Sequence, residues 1–117
     1  MRKVYFLSTC STSKRIINEL DLRQNDFEFQ DLKFTPITEE QLAQMHALAG
    51  SYEALFSKIA RKYKELGLKD LDLSEADYKQ YILDEYTFLK RPVVIIDDQI
   101  FIGSNKKTVA SLALAVN

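Results

Sequence analysis

The pattern VYFLSTCSTSKRIINELDLRQNDFEFQD, residues 4–31, indicates the fold class. Its apolar start, residues 4–7, predicts a buried strand. After a hydroxyl-rich turn, Ile16 and Leu20 stand four positions apart among polar residues, which predicts a helix with one apolar face. Apolar and polar side chains alternate over residues 26–31, as in a half-buried strand. A strand, a helix and a strand within about 30 residues predict a βαβ unit with parallel strands and a right-handed crossover.

The middle of the chain has the pattern of helices. Thr38 followed by Gln41 is a capping-box start for one helix, and Ser74 followed by Asp77 starts another. Between them, a helix is predicted over residues 51–67, with Ser51 as its cap. The apolar face of this helix is predicted to hold Leu55, Phe56, Ile59 and Tyr63.

The last part of the chain predicts a β-hairpin followed by a helix. Pro92 opens two apolar runs that span residues 93–102 and are separated by a turn of two aspartates. In the final helix, Leu112 and either Leu114 or Val116 form the apolar face.

The whole order is β-α-β, then helices, then β-β-α. It predicts an α/β fold with a four-stranded mixed sheet and flanking helices, which is the plan of a thioredoxin-like fold. Helices at about residues 36–90 would form an α-helical insertion between the two halves. We expect residues 1–117 to form a single domain of this kind.

Composition excludes several classes of protein. The 117 residues carry 16 Lys and Arg against 17 Asp and Glu, a net charge of −1, so we expect no direct nucleic-acid partner and no membrane surface. No apolar run approaches the roughly 20 residues of a membrane-spanning helix, and the apolar start is too short for a signal peptide. The expected location is cytoplasmic.

The chain has one cysteine, Cys10, and one histidine, His46. An internal disulfide is therefore excluded, and no metal site is expected because zinc sites need three or four such ligands. We also expect no bound cofactor. A redox motif with two thiols would need a second cysteine at Ser13, so any redox turnover must use a thiol from another molecule.

Cys10 stands between the first strand and the first helix. The free amide groups of the first helical turn point toward this position, and Lys14 and Arg15 add positive charge. These groups favour the thiolate, although a buried structural cysteine is the plain alternative. Hydroxyl groups that can stabilise a thiolate or an oxyanion follow it: Ser11, Thr12 and Ser13.

Four stretches in this order resemble the arsenate reductase-like (ArsC/Spx) family of the thioredoxin superfamily: residues 6–15, 62–68, 90–94 and 102–105. The resemblance implies that Cys10 is a nucleophile that attacks arsenate, after which a glutathione or glutaredoxin thiol completes the reduction. It also implies that Arg91 holds the oxyanion. Pro92, in the cis form, would shape the site of the partner thiol.

Two further arginines of the family's site fall at Ser57 and near Gly103 in this chain. Arg61 lies four residues after Ser57, on the same face of the predicted helix, and is the candidate substitute.

The resemblance thus implies a single-cysteine thiol oxidoreductase. Its substrate would be arsenate or a mixed disulfide, and its co-substrate an external thiol, such as glutathione or a glutaredoxin- or thioredoxin-type reductant. The alternative is an Spx-like transcriptional regulator that binds RNA polymerase without enzymatic activity. Spx-type members carry a CxxC switch, whose second cysteine is replaced here by Ser13.

Overall fold

A computed structural model describes residues 1–116. The strands and helices of this part of the chain are β1 (Arg2–Phe6), α1 (Ser11–Glu19), β2 (Glu28–Asp31), α2 (Glu39–Ala49), α3 (Arg61–Glu65), α4 (Glu75–Asp84), β3 (Val93–Ile96), β4 (Gln99–Ile102) and α5 (Lys106–Val116). Short 3-10 turns lie at Leu22–Gln24, Glu53–Leu55, Leu68–Asp70 and Tyr86–Phe88.

The four strands form one mixed sheet in the order β2-β1-β3-β4. β1 pairs in parallel with β2 and antiparallel with β3, and β3 pairs antiparallel with β4. The predicted α/β class, the mixed sheet and the C-terminal hairpin are therefore confirmed. β1 lies inside the sheet, with β2 and β3 satisfying the backbone groups of its two edges, and its residues Val4, Tyr5 and Phe6 are buried.

The described chain divides into two compact units. One unit contains residues 1–36 and the segment from residue 91 onward, and the other contains residues 37–90. The second unit has nearly the bounds of the predicted insertion. Whether the chain behaves as one domain stays a prediction.

In the first unit, α1 and α5 pack on the same face of the sheet. Their buried side chains join those of alternate strand residues in one core: Val4, Phe6, Ile16, Ile17, Leu22, Val94, Ile96, Leu112 and Val116. Alternate residues share a face because successive side chains in a strand point to opposite sides. In α5, Val116 is buried and Leu114 is 81% exposed. Of the two residues that the sequence left as alternatives for the apolar face, Val116 is therefore the one that joins Leu112.

In the second unit, local caps start the helices where the sequence predicts. The Thr38 hydroxyl accepts the amide of Gln41 at the start of α2, and the Ser74 hydroxyl accepts the amide of Asp77 at the start of α4. In both cases the third residue of the helix returns a side-chain hydrogen bond to the cap, completing a capping box. The core of this unit is aromatic: Phe56 contacts the rings of Tyr63, Tyr78, Tyr81 and Phe88.

The continuous helix predicted over residues 51–67 is wrong. Phe56 has an extended backbone, the Ser57 amide donates to the Phe88 carbonyl at 2.7 Å, and the Lys90 amide donates to the Leu55 carbonyl at 2.8 Å. With these bonds to a distant segment, the chain leaves the short 3-10 turn at Phe56, so no continuous helix runs through Phe56 and Ser57. Ile59, predicted inside, is consequently 96% exposed.

The second strand is shorter than the predicted 26–31, since β2 begins at Glu28. Gln30, expected on the exposed side, is only 8% exposed. Its side-chain amide donates to the Thr35 carbonyl at 3.0 Å, so burial leaves this polar group with a partner.

Candidate active site

Cys10 is the residue that caps the N-terminus of α1. Its backbone is extended, with φ −97° and ψ 109°, which is the usual conformation of an N-cap residue. The Cys10 amide donates to the Leu7 carbonyl at 3.0 Å, so a tight turn joins the end of β1 to the helix. The thiol is partly exposed and is not part of a disulfide.

Ser13, the third residue of α1, interacts with the Cys10 thiol through its hydroxyl and its amide. Its side chain is fully buried, and its Oγ makes no hydrogen bond of good geometry within residues 1–116. The first turn of α1 also contains no acidic residue. The start of the helix is therefore an environment that favours negative charge on the capping side chain.

Arg91 reaches Cys10 from the neighbouring strand. β1 and β3 are antiparallel, with Tyr5 opposite Val93, so the residue just before β3 lies beside the end of β1. The Arg91–Pro92 peptide bond is cis, as the resemblance implies. The Pro92 carbonyl accepts the amide of Gly103 at 2.9 Å, which ties this segment to the end of β4.

Together these groups stabilise the thiolate of Cys10. Burial raises the pKa of the thiol, but this effect is outweighed by the nearby hydroxyl and amide of Ser13 and by the side chain and positive charge of Arg91. The pKa of Cys10 therefore lies below its ordinary value. A thiolate is the nucleophilic form of cysteine, so the site is suited to attack on sulfur or on an oxyanion.

Ser11 and Thr12 occupy the first two positions of α1, exposed and half-buried respectively. Lys14 and Arg15 are exposed on the same helix, and Arg15 lies 3.9 Å from Glu19. The two cations therefore contribute less to the site than the sequence predicts, because exposed charges are screened by solvent.

The structure adds one residue that sequence reasoning missed. Asp31 ends β2, and its carboxylate accepts the amide of Ser8, two residues before Cys10, at 3.2 Å. The signal was present in the sequence: the predicted parallel strands bring their carboxyl ends to one edge of the sheet, so a polar residue ending the second strand lies beside the turn that follows the first.

Arg61 and Ser57, the two residues considered for the family's insertion arginine, belong to the second unit. Arg61 is the exposed first residue of α3, whereas Ser57 is buried and lies before that helix begins. The expectation that the two share a helix face is therefore wrong. Gly103, at the other expected arginine position, has φ +85°, a conformation in which an arginine would be strained.

Residues 1–116 contain neither a candidate metal site nor a candidate membrane span. No group of three or more His, Cys, Asp or Glu side chains in this range is arranged to hold a metal ion. None of the helices in this part of the chain has the length and apolar character needed to cross a membrane. His46 instead stacks on Tyr52, with ring centroids 4.1 Å apart.

The fold and the site define a thioredoxin-like α/β protein with a cysteine at the start of its first helix. The family model described as the ArsC family matches residues 5–112. The chain belongs to this family, which confirms the resemblance seen in the sequence. Among curated proteins, no significant match was found.

Solved structures agree with this assignment. The protein YffB is 23% identical, with a TM-score of 0.84 and full coverage of both chains (100% each). An arsenate reductase from Vibrio cholerae is 19% identical, with a TM-score of 0.77 and coverage of 99% of this chain and 97% of that one. The protein SACOL0876 from Staphylococcus aureus is 27% identical, with a TM-score of 0.74 and coverage of 95% and 97%. At identities this low, the first two similarities show the fold.

Proposed function

We propose that this protein is a single-cysteine thiol oxidoreductase of the arsenate reductase-like type, with Cys10 as its nucleophile. The observation that supports this most directly is the thiol of Cys10 at the start of α1, with Ser13 and Arg91 stabilising its thiolate. Membership of the ArsC family supports the same class of activity. In this proposal, Ser11, Thr12 and Pro92 complete the substrate site.

With a mixed disulfide as substrate, the Cys10 thiolate attacks one sulfur atom. A disulfide between Cys10 and that sulfur forms, and the other sulfur leaves as a thiolate. An external thiol then attacks the mixed disulfide, releases the Cys10 thiolate and carries away the first sulfur as a new disulfide. Because Ser13 stands where a resolving cysteine would be, the second thiol comes from another molecule.

With arsenate as substrate, the Cys10 sulfur attacks arsenic and displaces one oxygen as water. A first external thiol attacks the Cys10 sulfur, and arsenic leaves with the electron pair as arsenite. A second external thiol then regenerates Cys10, so two thiols lose the two electrons that arsenate gains. Arg91 would hold the anionic oxygens, since a guanidinium binds such groups through two parallel hydrogen bonds.

The comparison between these substrates favours the disulfide. Ser57 and Gly103 stand where the resemblance implies two further arginines, and each missing guanidinium removes a bidentate contact to a multiply charged oxyanion. A disulfide is uncharged at its reacting atoms and does not need those contacts. The reductant in this proposal is glutathione or a glutaredoxin- or thioredoxin-type protein, and the setting is the cytoplasm.

The test is the pH dependence of Cys10 alkylation by iodoacetamide, with and without arsenate. Because Cys10 is the sole cysteine, mass spectrometry assigns the adduct directly. We expect a midpoint below about 8.5, the value for a free cysteine. We also expect glutathione-dependent reduction of hydroxyethyl disulfide that disappears in Cys10→Ser. Protection by arsenate would identify an oxyanion site as well.

Arg91→Met and Arg15→Met form a matched pair for this test. Both remove one guanidinium, but only Arg91 contributes to the thiolate of Cys10. We expect Arg91→Met to raise the midpoint, so that alkylation near neutral pH slows by up to about tenfold. Arg15→Met should leave the midpoint of alkylation unchanged. A wild-type midpoint near 8.5 together with turnover that survives Cys10→Ser would refute the proposal.

The Spx-like alternative stays a prediction. It requires that the protein bind RNA polymerase and that Cys10→Ser leave the binding intact. Purified polymerase and the purified chain, combined in a sedimentation experiment, measure this directly.

A further inference from the structure

The carboxylate of Asp31 connects the end of β2 to the turn that presents Cys10. Its Oδ1 accepts two backbone amides, from Ser8 at 3.2 Å and from Lys33 at 3.1 Å. The backbone of Asp31 is itself held in place, because this residue lies opposite Phe6 in the parallel pairing of β1 and β2. The next amide, of Leu32, donates to the Phe6 carbonyl at 2.8 Å.

Ser8 lies in the middle of a very short connection. β1 ends at Phe6, and the turn from Leu7 closes on the Cys10 amide at 3.0 Å. Three residues thus separate the strand from the nucleophile. A hydrogen bond that restrains Ser8 therefore restrains the position from which the Cys10 side chain starts.

The Asp31 carboxylate is ionised at neutral pH and suited to this restraint. Partial burial raises the pKa of Asp31, but hydrogen bonds from the Ser8 hydroxyl and from the amides of Lys33 and Ser8, with the Lys33 charge, outweigh this effect and lower it. Hydrogen bonds to an ionised acceptor are stronger than neutral ones, so the carboxylate holds both segments firmly.

We infer that Asp31 is a positioning residue for Cys10: by holding Ser8, it keeps the Cys10 sulfur within reach of Ser13 and Arg91. The inference rests on the proposed function, in which the thiolate of Cys10 is the reacting group. Hydrogen bonds weaken steeply with distance and angle, so a small displacement of the turn would weaken the contacts that stabilise the thiolate.

The charge of Asp31 would act in the opposite direction to its hydrogen bonds. A negative charge near a thiol disfavours the thiolate, so simple removal of that charge would lower the pKa of Cys10 or leave it unchanged. The other charges that act on this region are Lys33, which interacts with Asp31, and Arg91, which interacts with Cys10, whereas Lys14 and Arg15 on α1 are exposed. Positioning and charge therefore predict opposite shifts, which makes the two roles separable.

The experiment is the pH profile of Cys10 alkylation in the full-length chain for the wild type and three variants. Asp31→Ala removes both the charge and the acceptor, and the midpoint should rise enough to slow alkylation at pH 7 by roughly three- to tenfold. Asp31→Asn removes the charge but keeps the Oδ1 acceptor, and its rate should return to within about twofold of the wild type. Asp98→Ala, which removes an exposed aspartate from the hairpin turn, is the control and should change nothing.

Asp31→Glu keeps the inference testable if the alanine variant does not fold. It retains the charge and the acceptor but displaces them by one methylene group. A positioning role therefore predicts slower alkylation of Cys10, whereas a pure charge effect predicts an unchanged rate. Equal rates for the wild type and Asp31→Glu, or for the wild type and Asp31→Ala, would overturn the inference. Faster alkylation in Asp31→Ala would overturn it too.

These outcomes are distinct from failure of the proposed function. The proposed function fails if glutathione-dependent disulfide reduction is absent or survives Cys10→Ser, which no Asp31 variant decides. The positioning role concerns the difference in alkylation midpoint between the wild type and the variants of Asp31, and that difference decides it whether or not the protein turns over a disulfide.

Discussion

Ser13 and Cys10 illustrate a conflict between stability and reactivity at single residues. The Ser13 hydroxyl is buried without a well-formed hydrogen bond among the described residues, which disfavours folding. The same hydroxyl stabilises negative charge on the Cys10 sulfur. The arrangement is destabilising when the thiol is protonated and becomes favourable when it ionises, as expected of a site that uses the thiolate.

Ser13→Ala should therefore change reactivity and stability in opposite directions. Loss of the hydroxyl group beside the sulfur raises the pKa of Cys10, and alkylation at pH 7 slows by roughly three- to tenfold. At a pH low enough to keep Cys10 protonated, the free energy of unfolding should stay within about 0.5 kcal/mol of the wild type or rise, because the buried hydroxyl then makes no well-formed hydrogen bond among the described residues.

Alkylation rates and urea denaturation measure the two effects in the same samples. Ser111→Ala, at an exposed position of α5 outside the site, is the control for the alkylation rate and should match the wild type. If Ser13→Ala leaves the alkylation rate unchanged, the hydroxyl does not stabilise the thiolate.

Helices of the second unit begin where short polar signals specify them. The capping boxes of α2 and α4 satisfy amide groups that have no partner inside the helix. The 3-10 turn Glu53–Leu55 is capped by a residue far away in the sequence. The carboxylate of Glu75, in the first turn of α4, accepts the amides of Tyr52 and Glu53 at 2.7 and 3.1 Å. The first kind of cap is visible in local sequence, and the second is not, because its partners are more than twenty residues apart.

Thr38→Ala should lower the free energy of unfolding by about 1 kcal/mol, because the first turn of α2 loses its side-chain acceptor. Urea denaturation followed by circular dichroism measures the change. Thr38→Ser retains the hydroxyl and should recover most of the loss. Equal destabilisation by alanine and serine would mean that the threonine methyl group, and not the cap, is responsible.

For the molecule as a whole, the sheet with α1 and α5 on one face provides the main core of the first unit. Leu112 is 2% exposed within this core, whereas Leu114, on the other side of the same helix, is 81% exposed. Packing therefore depends on which side of α5 meets the sheet, although both residues are equally hydrophobic.

Leu112→Ala should lower the free energy of unfolding by roughly 2–5 kcal/mol, since it leaves a cavity in addition to the lost apolar burial. Leu114→Ala makes the same chemical change at an exposed position and should cost less than about 0.5 kcal/mol. Thermal or urea denaturation of both variants tests the orientation of α5. Similar losses in the two variants would contradict it.

Local pattern was sufficient for most of the fold. The apolar strand, the hydroxyl turn and the following amphipathic helix are signals between residues close in sequence, and so are the hairpin and the capping boxes. Periodicity and caps report such short-range preferences directly. For the same reason, local sequence alone places Cys10 at a helix N-terminus and Arg91 next to a strand.

Contacts between distant residues needed the tertiary structure. Leu55, Phe56, Ile59 and Tyr63 have helical spacing, yet hydrogen bonds of Leu55 and Ser57 to residues 88–90 prevent a helix there. The hydrogen bond from the Ser8 amide to Asp31 likewise depends on strand pairing, because the two residues are 23 positions apart. The same is true of the contact between Arg91 and Cys10, which are 81 positions apart. Sequence periodicity carries no information about which distant backbone group will compete for a hydrogen bond, so the pairing of strands, and with it the environment of the thiol, follows only from the folded chain.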